Sequence, residues 1–247
     1  MDLSFVIPVY NESENIEPLI AEIRAAAVGS QSYEVIYVDD GSTDDTLRCL
    51  AELRCRFPFL RVIRHQSRHG QSSALWTGVK AARAPWIVTL DGDGQNDPRD
   101  VPRLLSVLHG ADPSSRLELV AGIRARRRDR WLKRLSSRIA NGVRRAILRD
   151  GVSDTGCGLK LINRKAFLEL PFFDHMHRFL PALILRGGGT VVTVEVSHRP
   201  RMRGSSKYGV RNRLWVGIAD VLGVLWLKRR MKTPVSEEIE QEVPCEQ

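Results

Sequence analysis

The stretch WIVTLDGDGQNDP (86–98) carries a β-rich run into a polar loop holding Asp91, Gly92, Asp93, Gly94 and Gln95. Bounded by Pro85 and by that loop, residues 86–91 read as a buried strand that ends in carboxylates. The same grammar recurs on either side. SFVIPVY (4–10) is a strand followed by Asn11 and Glu12, and EVIYVDD (34–40) is a strand ending in Asp39 and Asp40 before Gly41 and Ser42. RVI (61–63) and LELVAG (117–122) add two short strands. Between them lie helical patterns. Ile16, Leu19, Ile20 and Ile23 recur at helical spacing, as do Leu47, Leu50 and Leu53, and residues 70–84 and 101–109 read as two more helices. Asp44 and Asp97 are placed to cap helices.

Apolar strands alternating with helices predict an α/β fold: a mostly parallel sheet covered by helices on both faces. The strand C-termini then share one edge, which is where open α/β sheets bind ligands. The loops bearing Asp39, Asp40, Asp91 and Asp93 all fall on that edge.

The chain has 247 residues and a formal net charge of +9, with a pI near 9.8. That length suits one catalytic domain with appendages, and the charge implies an anionic partner. Four cysteines, Cys49, Cys55, Cys157 and Cys245, show no paired metal-ligand spacing, and a reduced cytosolic compartment fits them. Met1-Asp2 leads directly into a strand with no secretory pattern. The longest apolar run, Leu214–Leu227, contains Asp220 and falls short of the roughly 20 residues that a span requires. The expectation is neither an integral membrane protein nor a disulfide-built secreted module.

Charge is concentrated in the second half. Residues 124–149 hold eleven basic residues against Asp129 alone, and residues 199–232 hold ten against Asp220. The last stretch, 233–247, has five glutamates and no basic residue, and reads as a disordered acidic tail. Within 211–232, Trp215, Val216, Ile218, Val221, Leu222, Val224, Leu225, Trp226 and Leu227 precede Lys228, Arg229, Arg230 and Lys232. Such an amphipathic helix suits either the interface of an acidic bilayer or packing on its own domain or a partner subunit.

Two carboxylates spaced by one residue, on a loop leaving a strand, suit a hard divalent cation that shares its ligands with substrate phosphates. An EF-hand calcium loop is excluded because its twelfth position is Pro102 rather than glutamate. Nucleic acid is not expected as the partner, since aromatics are 6% and no nucleic-acid motif is present.

Three loops in order, Pro8-Val9-Tyr10-Asn11-Glu12, Val38-Asp39-Asp40-Gly41-Ser42 and Asp91-Gly92-Asp93, resemble the nucleotide-sugar site of family 2 glycosyltransferases with the GT-A fold. Gln95, the segment Asp154–Gly158, His177–Pro181 and Arg201–Tyr208 are similar to the polyprenyl-phosphate glycosyltransferases within that family. The resemblance implies a single GT-A domain over 1–210, a helix at 211–232 and the tail at 233–247.

It also implies roles by position. Pro8, Tyr10, Glu12, Val38 and Asp40 would hold the base and ribose of a nucleotide-sugar donor, and Asp91 and Gly92 would contact the donor nucleotide. Asp91, Asp93 and Gln95 would bind Mg²⁺ or Mn²⁺. Arg124, Lys133 and Arg134 would face the acceptor phosphate, and Arg178, Arg201 and Lys207 would reach the diphosphate or the lipid phosphate. Asp91, Asp93, Arg201 and Lys207 would carry the catalysis.

The implied reaction is an inverting transfer of a hexose from GDP-mannose or a UDP-sugar to a polyprenyl phosphate. It would take place at the cytoplasmic membrane face, on an acidic membrane surface or beside a membrane partner subunit. A phosphate oxygen is already anionic, so no general base is assigned; His65 and His69 have no carboxylate partner in sequence. The alternative is a family 2 transferase acting on a saccharide or protein acceptor, for which Asp154 is the candidate base.

Overall fold

The computed structural model describes residues 2–27, 32–124, 147–201 and 213–230. One sheet is built from β1 (Leu3–Val9), β2 (Tyr33–Asp39), β3 (Leu60–Arg64), β4 (Trp86–Thr89), β5 (Leu117–Arg124), β6 (Lys160–Asn163) and β7 (Thr190–Val196). Its order is β3-β2-β1-β4-β6-β5-β7. The helices are α1 (Ser13–Ala26), α2 (Thr46–Arg56), α3 (Gln71–Ala81), α4 (Val101–His109), α5 (Arg164–Leu168), α6 (Leu180–Arg186) and α7 (Arg213–Arg230).

Alternation along β1 shows why both faces are covered. Leu3, Phe5, Ile7 and Val9 point to one side and pack with Ile16, Leu19, Ile20 and Ile23 of α1 and Leu50 and Leu53 of α2. Val6 points the other way and joins Ile36 and Val38 against Ala74, Leu75 and Val79 of α3. Each such side chain stabilises the fold by about 1.5–3 kcal/mol when fully buried. A one-residue slip in register would turn both sets the wrong way. Helix α3 stops at Ala81 rather than 84, because Ala82 turns extended ahead of Pro85.

Strands β1 to β4 are mutually parallel, and β1 lies between β2 and β4. The order reverses between β1 and β4, so the crevice beyond their C-terminal ends is the topological switch point of the sheet. Strand β6 departs from the expected pattern. It runs antiparallel to both β4 and β5, so it brings its N-terminal end, not its C-terminal end, to the ligand edge. β7 then pairs parallel with β5 at the sheet margin.

Helix α7 packs on its own domain, one of the two readings of its sequence. Val224 is buried, Val221 and Leu225 are partly so, and all three pack on the core cluster containing Leu183 and Ile184 of α6. Asp220, the break in the apolar run, pairs with His175 at 3.1 Å. Lys228 donates to the carbonyl of Leu148, and Arg186 Nε donates to that of Leu227. The other face presents Ile218, Leu222 and Trp226, exposed by 44%, 56% and 59%, as a stripe one turn apart. No helix among the described residues is long and apolar enough to cross a membrane.

Candidate active site

The loops after β1 and β2 are tied together before any ligand arrives. The backbone N–H of Asn11 donates to Ser42 Oγ at 2.8 Å, Thr43 N–H donates to Asn11 Oδ1 at 2.7 Å, and Glu12 N–H donates to Thr46 Oγ1 at 2.9 Å. Asp97 caps the short 3-10 turn Pro98–Asp100, accepting from Arg99 N–H as expected; Asp44 Oδ1 accepts from Thr46 N–H, but the cap position of α2 is Asp45. Gly41 is obligatory in this weave. Its φ is +75°, and a β-carbon there would stand 2.9 Å from the backbone carbon of Ser67.

Asp40 is buried, and its carboxylate is saturated. Oδ1 accepts from His69 N–H at 2.9 Å and lies 2.8 Å from His65 Nδ1, while Oδ2 accepts from Gly70 N–H at 2.7 Å. His65 therefore does have a carboxylate partner, contrary to the sequence reading. Its other nitrogen meets Thr77 Oγ1 at 2.9 Å, so the ring braces the donor loop. Over Tyr10 lies the guanidinium of Arg68, 4.3 Å from the ring centre.

The loop after β4 is organised around Asp91. Asp91 N–H donates to Asn96 Oδ1 at 3.1 Å, and Gln71 Nε2, in the first turn of α3, donates to Asp91 Oδ1 at 2.8 Å. Desolvation, then the charge of Asp93, raises the Asp91 carboxyl to about 6; Lys160, the Gln71 bond and Arg124 oppose this. Asp93 Oδ1 accepts from Gln95 N–H at 3.1 Å, and Gln95 Nε2 lies 3.4 Å from the Arg199 carbonyl. Arg201 pairs with Glu12 and stands 4.0 Å from Asp93 Oδ2, so it bridges the first and third loops.

The antiparallel strand supplies the floor. Thr89 Oγ1 donates to the Gly158 carbonyl at 2.6 Å, locking the lead-in of β6 to the end of β4. A β-carbon on Gly158 would land on the Asp91 carboxylate, so only glycine admits this approach. Lys160 follows, 4% exposed, with its ammonium donating to the Cys157 carbonyl. Burial lowers its pKa, against the pull of Cys157, Asp91 and Asp154. Arg124, at the end of β5, forms a two-pronged pair with Asp154, Nε to Oδ2 at 2.6 Å and Nη2 to Oδ1 at 2.8 Å. His177 faces Ser72 Oγ at 2.8 Å; burial, then Arg178, drive its pKa well below the usual histidine value, so it is neutral.

These groups line one cavity of about 820 Å³. Pro8, Tyr10, Glu12, Asp40, Asp91, Gly92, Asp93, Gln95, Arg124, Arg178 and Arg201 all reach it. Val38 does not: its side chain faces α3 in the core, as alternation from Asp39 dictates. Lys133, Arg134 and Lys207 lie outside the described residues. Sequence reasoning missed Arg68, Gln71, Asn96 and Lys160. Gln71 and Lys160 sit inside elements, where a lone polar residue carries no motif.

Among the described residues, no cluster of three His, Cys, Asp or Glu side chains could enclose a cation. Asp91, Asp93 and Gln95 are hard oxygen donors of the kind that Mg²⁺ or Mn²⁺ shares with substrate phosphates. Two neighbouring carboxylates, one already raised to about 6, would both gain from such a cation. The residues present fit the metal.

Comparison with known proteins agrees with this geometry. Residues 4–170 match the family model described as glycosyl transferase family 2. The dodecaprenyl-phosphate galacturonate synthase of Rhizobium johnstonii is 34% identical over 239 residues, which are 95% of this chain and 69% of that protein. The undecaprenyl-phosphate 4-deoxy-4-formamido-L-arabinose transferase of Edwardsiella ictaluri is 34% identical over 84% of this chain, which spans 63% of that protein. Glucosyl-3-phosphoglycerate synthase from Mycobacterium tuberculosis, solved with Mn²⁺, UDP and glucosyl-3-phosphoglycerate, superposes with a TM-score of 0.66 at 23% identity, covering 92% of this chain and 79% of that one. That likeness establishes the GT-A-like fold. With a family match over more than half its length, and relatives named for transfer to polyprenyl phosphates, the chain belongs to glycosyl transferase family 2 and is a glycosyltransferase.

Proposed function

We propose that this chain transfers a hexose unit from a nucleotide sugar to the phosphate of a polyprenyl lipid, with inversion at the anomeric carbon. The observation that carries the proposal is the meeting of the three polar loops with Arg124 and the buried Lys160 in one cavity. Tyr10, Arg68 and Asp40 bound the end suited to a base and ribose. Asp91, Asp93 and Gln95 would hold Mg²⁺ or Mn²⁺, which when bound supplies positive charge to a leaving diphosphate. Arg178 and Arg201 add charge of the kind that binds phosphate oxygens.

In this mechanism an anionic oxygen of the lipid phosphate attacks C1 of the sugar. The bond from C1 to the diphosphate oxygen breaks, and its electron pair leaves with the nucleoside diphosphate. No proton has to be removed from the nucleophile. A saccharide or protein hydroxyl would need a base, and Asp154, the candidate for that role, is held in a two-pronged pair by Arg124. That pairing favours the phosphate acceptor.

The proposed setting is peripheral, at the cytoplasmic membrane face, with the domain over 1–210 carrying the helix at 211–232 and the tail at 233–247. The stripe of Ile218, Leu222 and Trp226, followed by exposed Arg229 and Arg230, suits an acidic bilayer surface. Lys228 is turned inward to Leu148 and does not belong to that surface, and Lys232 lies outside the described residues. The test is a donor screen with purified polyprenyl phosphate and labelled nucleotide sugars. Label entering the lipid phase only with divalent cation is expected; label absent for every donor, with a folded protein, rejects the proposal.

A further inference from the structure

Lys160 is the cavity residue that the transfer reaction leaves unexplained. Its side chain is 4% exposed, yet it lines the cavity. Of the other cavity cations, Arg124 pairs with Asp154, Arg201 with Glu12, and Arg68 lies over the Tyr10 ring; of these cations Lys160 is the buried one. Among the described residues no carboxylate lies within 4.0 Å of the Lys160 ammonium, which is held by the neutral carbonyl of Cys157. A lysine buried to this degree is costly unless an anion meets it.

Position narrows the anion. Lys160 pairs in register with Thr89, two residues before Asp91, and with Ala121 of β5. It therefore lies in the cavity floor at the root of the Asp91 loop. A sugar held beside Asp91 would share the cavity with Lys160, since both residues line it. The relative with a match over 95% of this chain is named for a galacturonate, a sugar that carries a carboxylate.

We infer that Lys160 reads a carboxylate on the donor sugar, so that the preferred donor is a nucleotide hexuronate rather than a neutral nucleotide hexose. The inference rests on the donor site proposed above. An ammonium buried opposite a carboxylate makes a charge-assisted bond, whereas a neutral hexose leaves it with the Cys157 carbonyl and the more distant charges of Asp91 and Asp154. The same ammonium could instead meet the acceptor phosphate, which is the other source of an anionic oxygen, so the test must separate the two.

The experiment measures binding of UDP-galacturonate and UDP-galactose by calorimetry with Mn²⁺ and without lipid, then kcat/KM for each donor and KM for polyprenyl phosphate. The whole chain is used, as wild type, Lys160→Met and Lys160→Arg, with melting temperatures recorded. The wild type should favour the hexuronate, and Lys160→Met should lower the hexuronate-to-hexose ratio roughly 100-fold, with Lys160→Arg between them. A wild type that binds both donors equally, or neither, overturns the inference even if the variants fail to fold. Equal losses for both donors in Lys160→Met would overturn it in favour of a lysine that positions Asp91. A raised KM for polyprenyl phosphate with an unchanged donor ratio would overturn it in favour of the acceptor phosphate. The binding arm needs no transfer to lipid, so failure of the proposed reaction and failure of this inference give different results.

Discussion

The two walls of the cavity are built on opposite principles. On the β1–β2 side the loops are tied together by partners from the chain: Asp40 bonds to His65, His69 and Gly70, and Asn11 is laced to Ser42 and Thr43. On the β4–β6 side, charge is left in tension. Asp91 and Asp93 repel each other, Asp91 is raised to about 6, and Lys160 is buried against a carbonyl. The first wall is a rigid mould, whereas the second is completed by what binds. Pre-organised partners give shape recognition at little reorganisation cost, and charges kept apart from their partners give the chemistry.

The comparison can be broken most readily at the second wall. Asp93→Ala should lower turnover at least roughly 100-fold, the scale on which removal of one electrostatic stabiliser acts. Its melting temperature should shift by less than about 4 °C, equivalent to about 1 kcal/mol for a chain of this size. Steady-state assay with Mn²⁺, beside a thermal melt, checks both. Full activity in the presence of a chelator would remove the contrast.

Beneath the first wall the effect should fall on stability instead. Glu34 is 1% exposed and accepts from Ser4 Oγ, Arg61 and the Arg83 N–H. Burial pushes its carboxyl up, but these three bonds outweigh that and hold it below the usual value. A lowered folded pKa means that its stabilisation is present above the unfolded carboxylate pKa and is lost as pH falls through the folded one. Glu34→Ala should cost about 3 kcal/mol in chemical denaturation near neutral pH, with a smaller penalty in acid. Activity per folded molecule should stay within about twofold, since loss of a scaffold contact costs stability rather than chemistry. A variant as stable as wild type would show that the mould does not depend on this network.

Gly41→Ala should show a smaller loss, about 1–2 kcal/mol, from a left-handed backbone and a crowded β-carbon. Donor binding should weaken with it, because Gly41 spaces the Asp40 loop from Ser67. Unchanged donor affinity would mean that the first wall tolerates slack. The smallest change in stability should come from the triple variant Ile218→Ser, Leu222→Ser, Trp226→Gln, within about 0.5 kcal/mol per exposed site. Cosedimentation with acidic vesicles should nonetheless be lost. Binding that persists would locate the membrane contact elsewhere.

The legibility of the two walls differs in the same way. The parallel strands announce themselves through apolar runs ending in short polar motifs, and the loops that line the cavity followed from them directly. Strand β6 has four residues, too few for a periodicity, and its antiparallel direction depends on the partners it finds rather than on its own sequence. Strand β7, Thr190-Val-Val-Thr-Val-Glu-Val196 after three glycines, was readable from β-branched content but is overshadowed by the basic runs around it. Lys160 looks in sequence like one more surface charge. Burial, a property of the assembled sheet, is what makes it exceptional. His65 shows the same limit, because its partner Asp40 is twenty-five residues away.

The reversal of β6 has a consequence for how this fold can diversify. β5 arrives at the cavity with Arg124, and β6 departs from it with Lys160, the two strands being paired side by side. The chain therefore leaves the sheet after Arg124 and re-enters it at Lys160 at one rim. Lengthening such an excursion costs only about 0.6 kcal/mol for each doubling, and no strand has to change register to admit it. Descendants of one sheet can thus exchange the connection at this rim while the β1–β2 wall is inherited intact.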